Sequence, residues 1–365
     1  MPPEKVKICI IIPGLKCGGS ERFVSILCNY INTDIFDVSL YVLDGDDPFY
    51  QITNSLVKVF FLKIKNVRKS LFTVLKILRT TDPDILFTVS NHLNIFIAIF
   101  KFLFPGKIKV ISRETSIVSI NNKRSKYSKL YEWIVKKFYK NIDYIICQSA
   151  YMQDDLVLNY KIIKEKTIVI NNPVEEMDYP VNIRKPGKFK NKEYKFFTVT
   201  RLSSEKGIER IINALSKLEL NYRFHIIGDG PEKERLMDLT NEMNLESRII
   251  FEGRKSEPYK EMADADLFLI GSFFEGFPNV LLEAGMLGIP VIGFNAPGGI
   301  SEIVVNGMNG FLVEDDKGDL AFSKAILEAI KYQFIPEQIV EETIRRFSVK
   351  KIIGQIENYF IKILD

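Results

Sequence analysis

Short apolar runs rich in isoleucine and valine alternate with longer amphipathic stretches along the chain. Such runs predict buried strands, and the amphipathic stretches between them predict helices. The runs are Lys5–Ile12, Val38–Leu43, Ile85–Val89, Lys109–Ser112, Tyr144–Gln148, Lys195–Thr200, Tyr222–Ile227, Arg248–Phe251, Asp266–Ile270 and Pro290–Phe294. Strands that alternate with helices form parallel sheets covered on both faces. The pattern therefore predicts an α/β protein.

This alternation is interrupted after Asn171-Asn172-Pro173, where a stretch with prolines and lysines lacks periodicity. The 365 residues also suffice for about two domains. We therefore predict two doubly wound, Rossmann-like parallel-sheet domains that face a cleft. The first covers residues 1–175, the linker 176–193 and the second 194–346, while residues 347–365 are helical by period.

Composition narrows the class of protein. Apolar residues make up 46% and charged residues 26% of the chain, which excludes collagen-like and disordered classes. The four cysteines show no C-x-x-C spacing, so neither a zinc knuckle nor a disulfide framework is indicated. The apolar stretch Leu93–Phe104 is shorter than the roughly 20 residues that span a bilayer. We expect a folded protein of a reducing compartment without a transmembrane helix.

A glycine-rich turn, Pro13 to Arg22, follows the first strand and precedes a helix predicted from about Ser20 to Asn29. Gly18 and Gly19 would let the backbone approach an anion at the helix N-terminus. The spacing is neither G-x-G-x-x-G nor that of a P-loop, so both nucleotide fingerprints fail. The turn indicates a phosphate contact; the alternative is a turn that only packs its helix.

A second turn, Thr200 to Gly207, carries two cations after a strand. Arg201 and Lys206 are five residues apart, and together they could balance the charge of a diphosphate without a metal. The alternative is that both are solvated surface residues.

The third turn runs from Ser272 to Ala284, and Pro278 predicts a helix from Pro278 to Leu287. Glu275 precedes this helix and Glu283 lies within it, among residues that are nearly all apolar. Two carboxylates of this kind can accept hydrogen bonds from the adjacent hydroxyls of a ribose or hexose. A buried Glu283 would require a partner.

Together these turns resemble the retaining glycosyltransferases of family 4, which have the two-domain GT-B architecture. The resemblance rests on E-x7-E at Glu275–Glu283, R-L-x-x-x-K-G at Arg201–Gly207 and G-G-x-E-R at Gly18–Arg22. It implies transfer of a sugar from a nucleotide diphosphate donor, such as a UDP-sugar, with retention at the anomeric carbon. The acceptor would be a glycan or a polyprenyl-linked oligosaccharide of surface polysaccharide biosynthesis.

The resemblance also implies the roles of individual residues. Arg201 and Lys206 would hold the diphosphate, Glu283 the ribose hydroxyls, and Glu275 the donor sugar, with no metal and no other cofactor. Catalytic roles fall on Glu275, Arg201 and Lys206. The implied donor-binding set is Gly18, Gly19, Arg201, Lys206, Glu275, Gly276, Phe277, Asn279, Val280 and Glu283. In this family the last helix returns to the first domain.

The acceptor side departs from the family pattern. Many members carry a histidine after the fourth strand of the first domain, where this chain has Arg113 and Glu114, and we expect these two residues on the acceptor side. His92 follows a neighbouring strand and could take its place; the alternative is a capping or packing role. The acceptor-activating group therefore stays open, and in the family the leaving phosphate oxygen is described as the base.

Net charge is unevenly distributed: residues 1–180 hold 25 Lys and Arg against 18 Asp and Glu. Residues 121–140 hold seven basic residues, one acidic residue and five aromatics. An amphipathic helix of this composition suits the anionic inner face of a membrane, and it predicts a peripheral cytoplasmic protein. The alternative is a surface helix whose aromatic side chains pack inward. The predicted contacts are Lys123, Arg124, Lys126, Lys129 and Trp133. No nucleic-acid-binding motif accompanies these charges.

Four other functions compete with this interpretation. Asp44-Gly45-Asp46 could serve a metal-dependent, single-domain glycosyltransferase, and Asp44 alone would suit an oxidoreductase. A sugar-nucleotide epimerase would bind the same donor on the same fold. A non-catalytic membrane-surface protein would bind no sugar nucleotide.

Overall fold

The computed structural model describes residues 4–45, 48–176 and 193–365. The chain divides into two compact units: unit 1 comprises residues 1–173 and 349–365, and unit 2 comprises residues 174–348. Most of the predicted linker lies outside the described residues. Each unit contains one parallel sheet with helices, which confirms the predicted α/β class.

Unit 1 is built on a seven-stranded sheet in the order β3-β2-β1-β4-β5-β6-β7. Every pairing in it is parallel. The strands are β1 (Val6–Ile12), β2 (Phe36–Val42), β3 (Lys58–Phe61), β4 (Ile85–Val89), β5 (Lys109–Arg113), β6 (Tyr144–Cys147) and β7 (Thr167–Val169). Helices cover both faces, so the central strand β4 is buried at every position.

The first six helices also belong to unit 1. They are α1 (Gly19–Tyr30), α2 (Leu71–Thr81), α3 (Asn91–Phe100), α4 (Val118–Arg124), α5 (Ser128–Phe138) and α6 (Ala150–Tyr160). α1 begins with Gly18 as its N-cap in extended conformation, one residue before the predicted start. The glycine turn therefore ends directly at a helix N-terminus.

Unit 2 repeats the plan with six parallel strands in the order β10-β9-β8-β11-β12-β13. These are β8 (Tyr194–Val199), β9 (Tyr222–Ile227), β10 (Ile249–Gly253), β11 (Leu267–Ile270), β12 (Val291–Asn295) and β13 (Gly310–Glu314). Its helices are α7 (Ile208–Leu215), α8 (Lys233–Glu242), α9 (Pro258–Met262), α10 (Asn279–Met286), α11 (Ile300–Ile303), α12 (Gly318–Lys331) and α13 (Pro336–Phe347). Two buried apolar clusters form its core.

The last helix, α14 (Val349–Lys362), is part of unit 1. The ring of Phe360 makes edge contacts with Phe36 and Phe87 of the sheet. The Glu357 carboxylate accepts a hydrogen bond from the Asn32 amide at 2.7 Å. The two ends of the chain therefore share one core.

In both sheets the strand order reverses at a switch point: between β1 and β4 in unit 1, and between β8 and β11 in unit 2. Open parallel sheets bind ligands outside the carboxyl ends of the strands at such a point. Residues 200–207 follow β8, and residues 271–279 follow β11. Two of the three turns singled out in the sequence therefore flank the switch point of unit 2.

Candidate active site

Lys206 and Glu275 form an ion pair between the turns after β8 and β11. The ammonium nitrogen lies 2.7 Å from Oε1 of Glu275, and both side chains are mostly buried. The hydroxyl of Ser272 donates to the same carboxylate oxygen at 2.6 Å. The carboxylate is therefore held from two sides.

Backbone contacts lock these two turns together. The Phe273 amide donates to the carbonyl of Glu205 at 2.9 Å. Gly207 has φ +57°, and a Cβ there would lie 2.0 Å from the carbonyl oxygen of Gly271. Only glycine allows this approach without displacement of the backbone. Gly207 therefore brings Lys206 within reach of Glu275.

The turn after β12 fixes Glu275 from the other side. The Glu275 amide donates to the Pro297 carbonyl at 3.0 Å, and Glu275 forms an isolated parallel bridge with Gly298. Gly298 has φ +119°, and a Cβ there would lie 1.5 Å from the carbonyl oxygen of Glu275. The main chain at Glu275 is thus held by neighbouring turns, which orients its side chain.

α10 follows at once and carries the second carboxylate of the E-x7-E motif. It begins at Asn279, with Pro278 as an N-cap that supplies no side-chain hydrogen bond. Glu283 is 7% exposed and Phe277 5% exposed, while Gly276, Asn279 and Val280 are half-buried. The helix end offers backbone amides and a partial positive charge, which suit a phosphate or sugar oxygen.

Arg201 is exposed directly after β8. Leu202, its neighbour, is fully buried, and the Leu202 amide donates to the Asp229 carbonyl at 3.0 Å. The turns after β8 and β9 are thereby joined. Unit 2 thus carries Arg201 and Lys206 on the turn after β8, Glu275 on the turn after the adjacent strand β11, and Glu283 on α10, which follows that turn.

Unit 1 presents Gly18 and Gly19 at the start of α1. The Arg22 amide donates to the Gly18 carbonyl at 3.0 Å, which closes the first helical turn. A Cβ on Gly18 would lie 2.3 Å from Oε2 of Glu21. Burial raises the pKa of Glu21 above its ordinary value. The Glu21 carboxylate therefore lies beside Gly18 at this helix end, and a phosphate contact there stays a prediction.

Arg113 and Glu114 do not face solvent, which contradicts their predicted place on the acceptor side. Both side chains are fully buried. The Arg113 guanidinium lies 3.8 Å from the ring centroid of Phe23 and donates to Oδ1 of Asn172 at 2.9 Å. These contacts tie β5 to α1 and to the segment after β7. Both residues lie in the core of unit 1. The prediction was wrong because a charged residue after a strand can be buried as well as exposed.

His92, by contrast, is exposed near the N-terminus of α3 and makes an edge contact with Tyr131. Ser90, two residues before His92, has φ +105°, which is rare for a non-glycine residue. His92 therefore stays a candidate acceptor-side residue.

The basic, aromatic segment 121–140 forms two helices, α4 and α5, where the sequence predicts one. Ser125 leaves the helical conformation, and its hydroxyl accepts a hydrogen bond from the Tyr127 amide at 3.2 Å. Lys123, Arg124, Lys126, Lys129 and Trp133 are all exposed. Within the described ranges, no helix has both the length and the apolar character needed to cross a bilayer.

The described residues also contain no cluster of three metal-binding side chains of the His, Cys, Asp or Glu type. Asp46, the second acid of the sequence Asp44-Gly45-Asp46, lies outside the described residues. Asp44 pairs with Lys16 at 3.2 Å.

Two family models match this chain. The model described as Glycosyltransferase Family 4 matches residues 17–176, and the model described as Glycosyl transferases group 1 matches residues 181–346. The chain belongs to glycosyltransferase family 4. The single-domain, oxidoreductase and non-enzymatic alternatives are therefore set aside.

Two relatives of this glycosyltransferase are themselves named as glycosyltransferases, and each name gives the sugar that is transferred. An N-acetylgalactosamine-N,N'-diacetylbacillosaminyl-diphospho-undecaprenol 4-alpha-N-acetylgalactosaminyltransferase of Campylobacter jejuni is 27% identical over 97% of the chain and 99% of that protein. A lipopolysaccharide 1,6-galactosyltransferase of Escherichia coli is 30% identical over 55% of the chain and 60% of that protein.

Solved structures share the fold of the whole chain. The apo form of the lipopolysaccharide outer core galactosyltransferase WaaB has a TM-score of 0.77 at 22% identity, covering 98% of this chain and 99% of that one. Anabaena HepE in complex with UDP-glucose has a TM-score of 0.74 at 22% identity, with 98% and 99% covered. These likenesses confirm the GT-B fold class.

Sequence reasoning missed the residues that support the glycosyltransferase motifs. Ser272 donates a hydrogen bond to the Glu275 carboxylate, and Arg210 donates one to the carbonyl of Ser272 in the same loop. Neither residue belongs to a recognised motif. Gly298, whose backbone approaches Glu275, also lies outside the three motifs. Positive φ values and contacts between turns depend on the folded structure, so spacing along the chain does not reveal them.

Proposed function

We propose that this glycosyltransferase moves a sugar from a UDP-sugar to a glycan or lipid-linked acceptor, with retention at the anomeric carbon. The observation that carries the proposal is the Lys206–Glu275 ion pair between the turns that flank the switch point of unit 2, with the buried Glu283 on the helix that follows. UDP-glucose in HepE and the undecaprenol-linked acceptor in the name of the Campylobacter relative support the substrate classes. Surface polysaccharide or glycoconjugate biosynthesis is the process in which we place it.

The proposed roles follow from charge and hydrogen-bonding capacity. Arg201 and Lys206 bind the diphosphate, because fixed cations stabilise the charge that develops on it as it leaves. Glu283 accepts hydrogen bonds from the ribose hydroxyls. Glu275 and the amides at Asn279 hold the donor sugar, while Gly18 and Gly19 form a separate candidate phosphate contact at the start of α1.

In the proposed reaction the bond from the anomeric carbon to the β-phosphate oxygen breaks. The acceptor hydroxyl oxygen forms the new glycosidic bond on the same face of the sugar. Its proton passes to the departing phosphate oxygen, so UDP leaves and no protein base is consumed. Lys206 and Arg201 then neutralise UDP without a metal ion.

The test replaces Lys206 and Glu283 by alanine, one at a time. We expect each variant to lose donor-dependent turnover by about 100-fold or more, because one fixed charge or hydrogen-bonding group is removed from the donor site. Turnover is measured with the sugar nucleotide that raises the melting temperature most in a screen that includes UDP-glucose and UDP-N-acetylhexosamines. The matched controls are the exposed Lys217→Ala and Glu328→Ala in the same unit. Wild-type rates in Lys206→Ala or Glu283→Ala would remove the assignment.

Two further readouts separate the alternatives. UDP should be released only when an acceptor is present; release or conversion of the donor alone would indicate an epimerase. Turnover should persist after treatment with a chelator, and a loss restored by a divalent cation would contradict the metal-independent mechanism.

We also propose that unit 1 binds an anionic membrane surface through α4 and α5. The exposed fraction is 61% for Tyr127, 54% for Leu130 and 53% for Trp133. The exposed Lys126 and Lys129 are close to these side chains in sequence, and the Lys137 ammonium lies 4.7 Å from the ring centroid of Trp133. Such a surface combines attraction to anionic lipid headgroups with apolar side chains that enter the interface.

The test neutralises Lys123, Arg124, Lys126 and Lys129 together to glutamine. We expect the variant to stay in the supernatant when sedimented with vesicles containing phosphatidylglycerol, whereas the wild type pellets at low salt and is released at high salt. The control neutralises four exposed lysines of unit 2: Lys217, Lys317, Lys324 and Lys331. Equal sedimentation of the α4–α5 variant and the control would exclude this surface as the membrane contact.

A further inference from the structure

Arg210 lies in the first turn of α7, beside the loop that carries Glu275. Its guanidinium uses all three nitrogens: Nε donates to the carbonyl of Gly271, Nη2 to the carbonyl of Ser272 at 2.7 Å, and Nη1 to the Asp315 carboxylate at 2.6 Å. A single side chain thus holds two consecutive carbonyls of this loop. The planar fork of arginine allows this, and a lysine ammonium could not reproduce it.

Aromatic rings fix the same guanidinium from its faces. Its central carbon lies 3.7 Å from the ring centroid of Phe294 and 4.2 Å from that of Phe273. The Arg210 side chain is only 11% exposed. Phe273 is the residue between Ser272 and the segment leading to Glu275, so the rings and the hydrogen bonds restrain one short stretch of chain.

The position is electrostatically unfavourable without these partners. A cation in the first turn of a helix opposes the helix dipole. Burial lowers the pKa of Arg210, and the hydrogen bond with Asp315 raises it. A buried guanidinium at this place therefore depends on the loop carbonyls and on Asp315, which couples its position to theirs.

The loop held by Arg210 supplies the groups that position the Glu275 carboxylate. Arg210 holds the backbone of Ser272 through the Ser272 carbonyl. The Ser272 hydroxyl donates to Oε1 of Glu275 at 2.6 Å. Lys206 contacts the same oxygen at 2.7 Å. Movement of the loop would therefore displace the Glu275 carboxylate, while Lys206 belongs to the separate turn after β8.

We infer that Arg210 is a positioning residue of the transferase site, which sets the geometry of Glu275 toward the donor sugar through the 271–273 loop. The inference rests on the proposed role of Glu275. It assigns Arg210 no contact with the substrate. It also separates sugar positioning, which needs the loop, from binding of the UDP moiety, which depends on Arg201, Lys206 and Glu283.

The experiment compares Arg210→Met, Arg210→Lys and the control Arg223→Met, which removes an exposed arginine of unit 2 paired with Glu193. We expect Arg210→Met to lower kcat by about 100-fold, since a misplacement near 1 Å can cost this much. The dissociation constant for UDP, measured by calorimetry, should stay at the wild-type value. Arg210→Lys should recover part of kcat, and Arg223→Met should retain all of it.

A double-variant comparison distinguishes positioning from a merely structural role. In a Glu275→Gln background, Arg210→Met should lower turnover no further, because the pathway through Glu275 is already lost. Amide hydrogen exchange should quicken in residues 271–276 alone. A full additional loss in the double variant, or faster exchange throughout unit 2, would overturn the inference.

Failure of the proposed function would look different. If the wild type bound no UDP, the proposed donor would be wrong, while the exchange measurement would still decide whether Arg210 restrains the Glu275 loop. If the wild type bound UDP and Arg210→Met kept the wild-type kcat, only the role of Arg210 would be wrong.

Discussion

At the scale of single residues, charged side chains that follow a strand occupy two different environments in this protein. Lys206 and Glu275 pair on turns at a switch point, while Arg113 and Glu114 are fully buried at the end of β5. The sequence shows both as charged residues beside strand ends. What separates them is packing from distant segments, such as the Phe23 ring over Arg113, which spacing does not encode.

Glu114 lies in a buried polar network of unit 1. Its Oε1 accepts hydrogen bonds from Asn94 at 2.7 Å and from the Tyr139 hydroxyl at 3.0 Å. Its Oε2 is buried with no hydrogen-bond partner among the described residues. Desolvation is the largest cause that raises the pKa of Glu114, from 4.5 to about 7. The folded protein thus holds this carboxyl neutral under mildly acidic conditions.

This shift predicts a stability that depends on pH. The unfolded chain releases the Glu114 proton near pH 4.5 and the folded chain near pH 7. Between these values the folded state binds more protons, so the free energy of unfolding falls as pH rises, and above about pH 7 the loss is complete. Glu114→Gln should remove this slope, which amounts to roughly 2 to 3 kcal/mol across the window. Denaturant titrations of both proteins at pH 5 and pH 8 measure it.

The control for the loss of one carboxyl group is Glu337→Gln, at an exposed position of α13. It should keep the wild-type change in stability between the two pH values. A Glu114→Gln protein whose stability changes with pH as much as the wild type would contradict the proposed neutral carboxyl.

At the scale of elements, the central strands of the two sheets were predictable, whereas of their four edge strands only β10 was predicted, as the run Arg248–Phe251. Ile85–Val89 and Tyr222–Ile227 have the same bounds in the sequence prediction and in the structure. β3, β7 and β13 lie at sheet edges and were not among the predicted runs. β3 leaves Phe60 42% and Phe61 47% exposed, so it lacks the continuous burial that marks a central strand. An edge strand depends on pairing with its one neighbouring strand more than on the hydrophobic pattern of its own sequence.

The break between α4 and α5 shows the same limit for helices. The periodicity of residues 121–140 suits one helix, but the Asn122 side chain is buried against the Tyr160 hydroxyl of α6. The Ser125 hydroxyl then accepts a hydrogen bond from the Tyr127 amide. This local bond competes with the backbone hydrogen bonds of a continuous helix. The segment therefore turns where tertiary contacts and a serine coincide, and its charged face is divided between two short helices.

At the scale of the whole molecule, family motifs predicted where the turns after β1, β8 and β11 lie, because each motif is a short local stretch of sequence. Each motif follows one strand, and parallel strands bring their carboxyl ends to one edge of a sheet. The place of α14 could not be read from periodicity, since an amphipathic helix can cover either unit. Its buried residues Ile352, Ile353, Ile356 and Phe360 join a cluster with strands from the other end of the chain.

This arrangement predicts that α14 stabilises unit 1 selectively. Phe360 is fully buried in the core of unit 1, so Phe360→Ala should lower the free energy of unfolding of that unit by about 3 to 5 kcal/mol through lost burial and a cavity. Hydrogen exchange should quicken in β1, β2 and β4 and stay unchanged in the strands of unit 2. Ile361→Ala, at a neighbouring position of the same helix that is 37% exposed, should change stability by about 0.5 kcal/mol or less. Equal destabilisation of both units by Phe360→Ala would contradict the assignment of α14 to the core of unit 1.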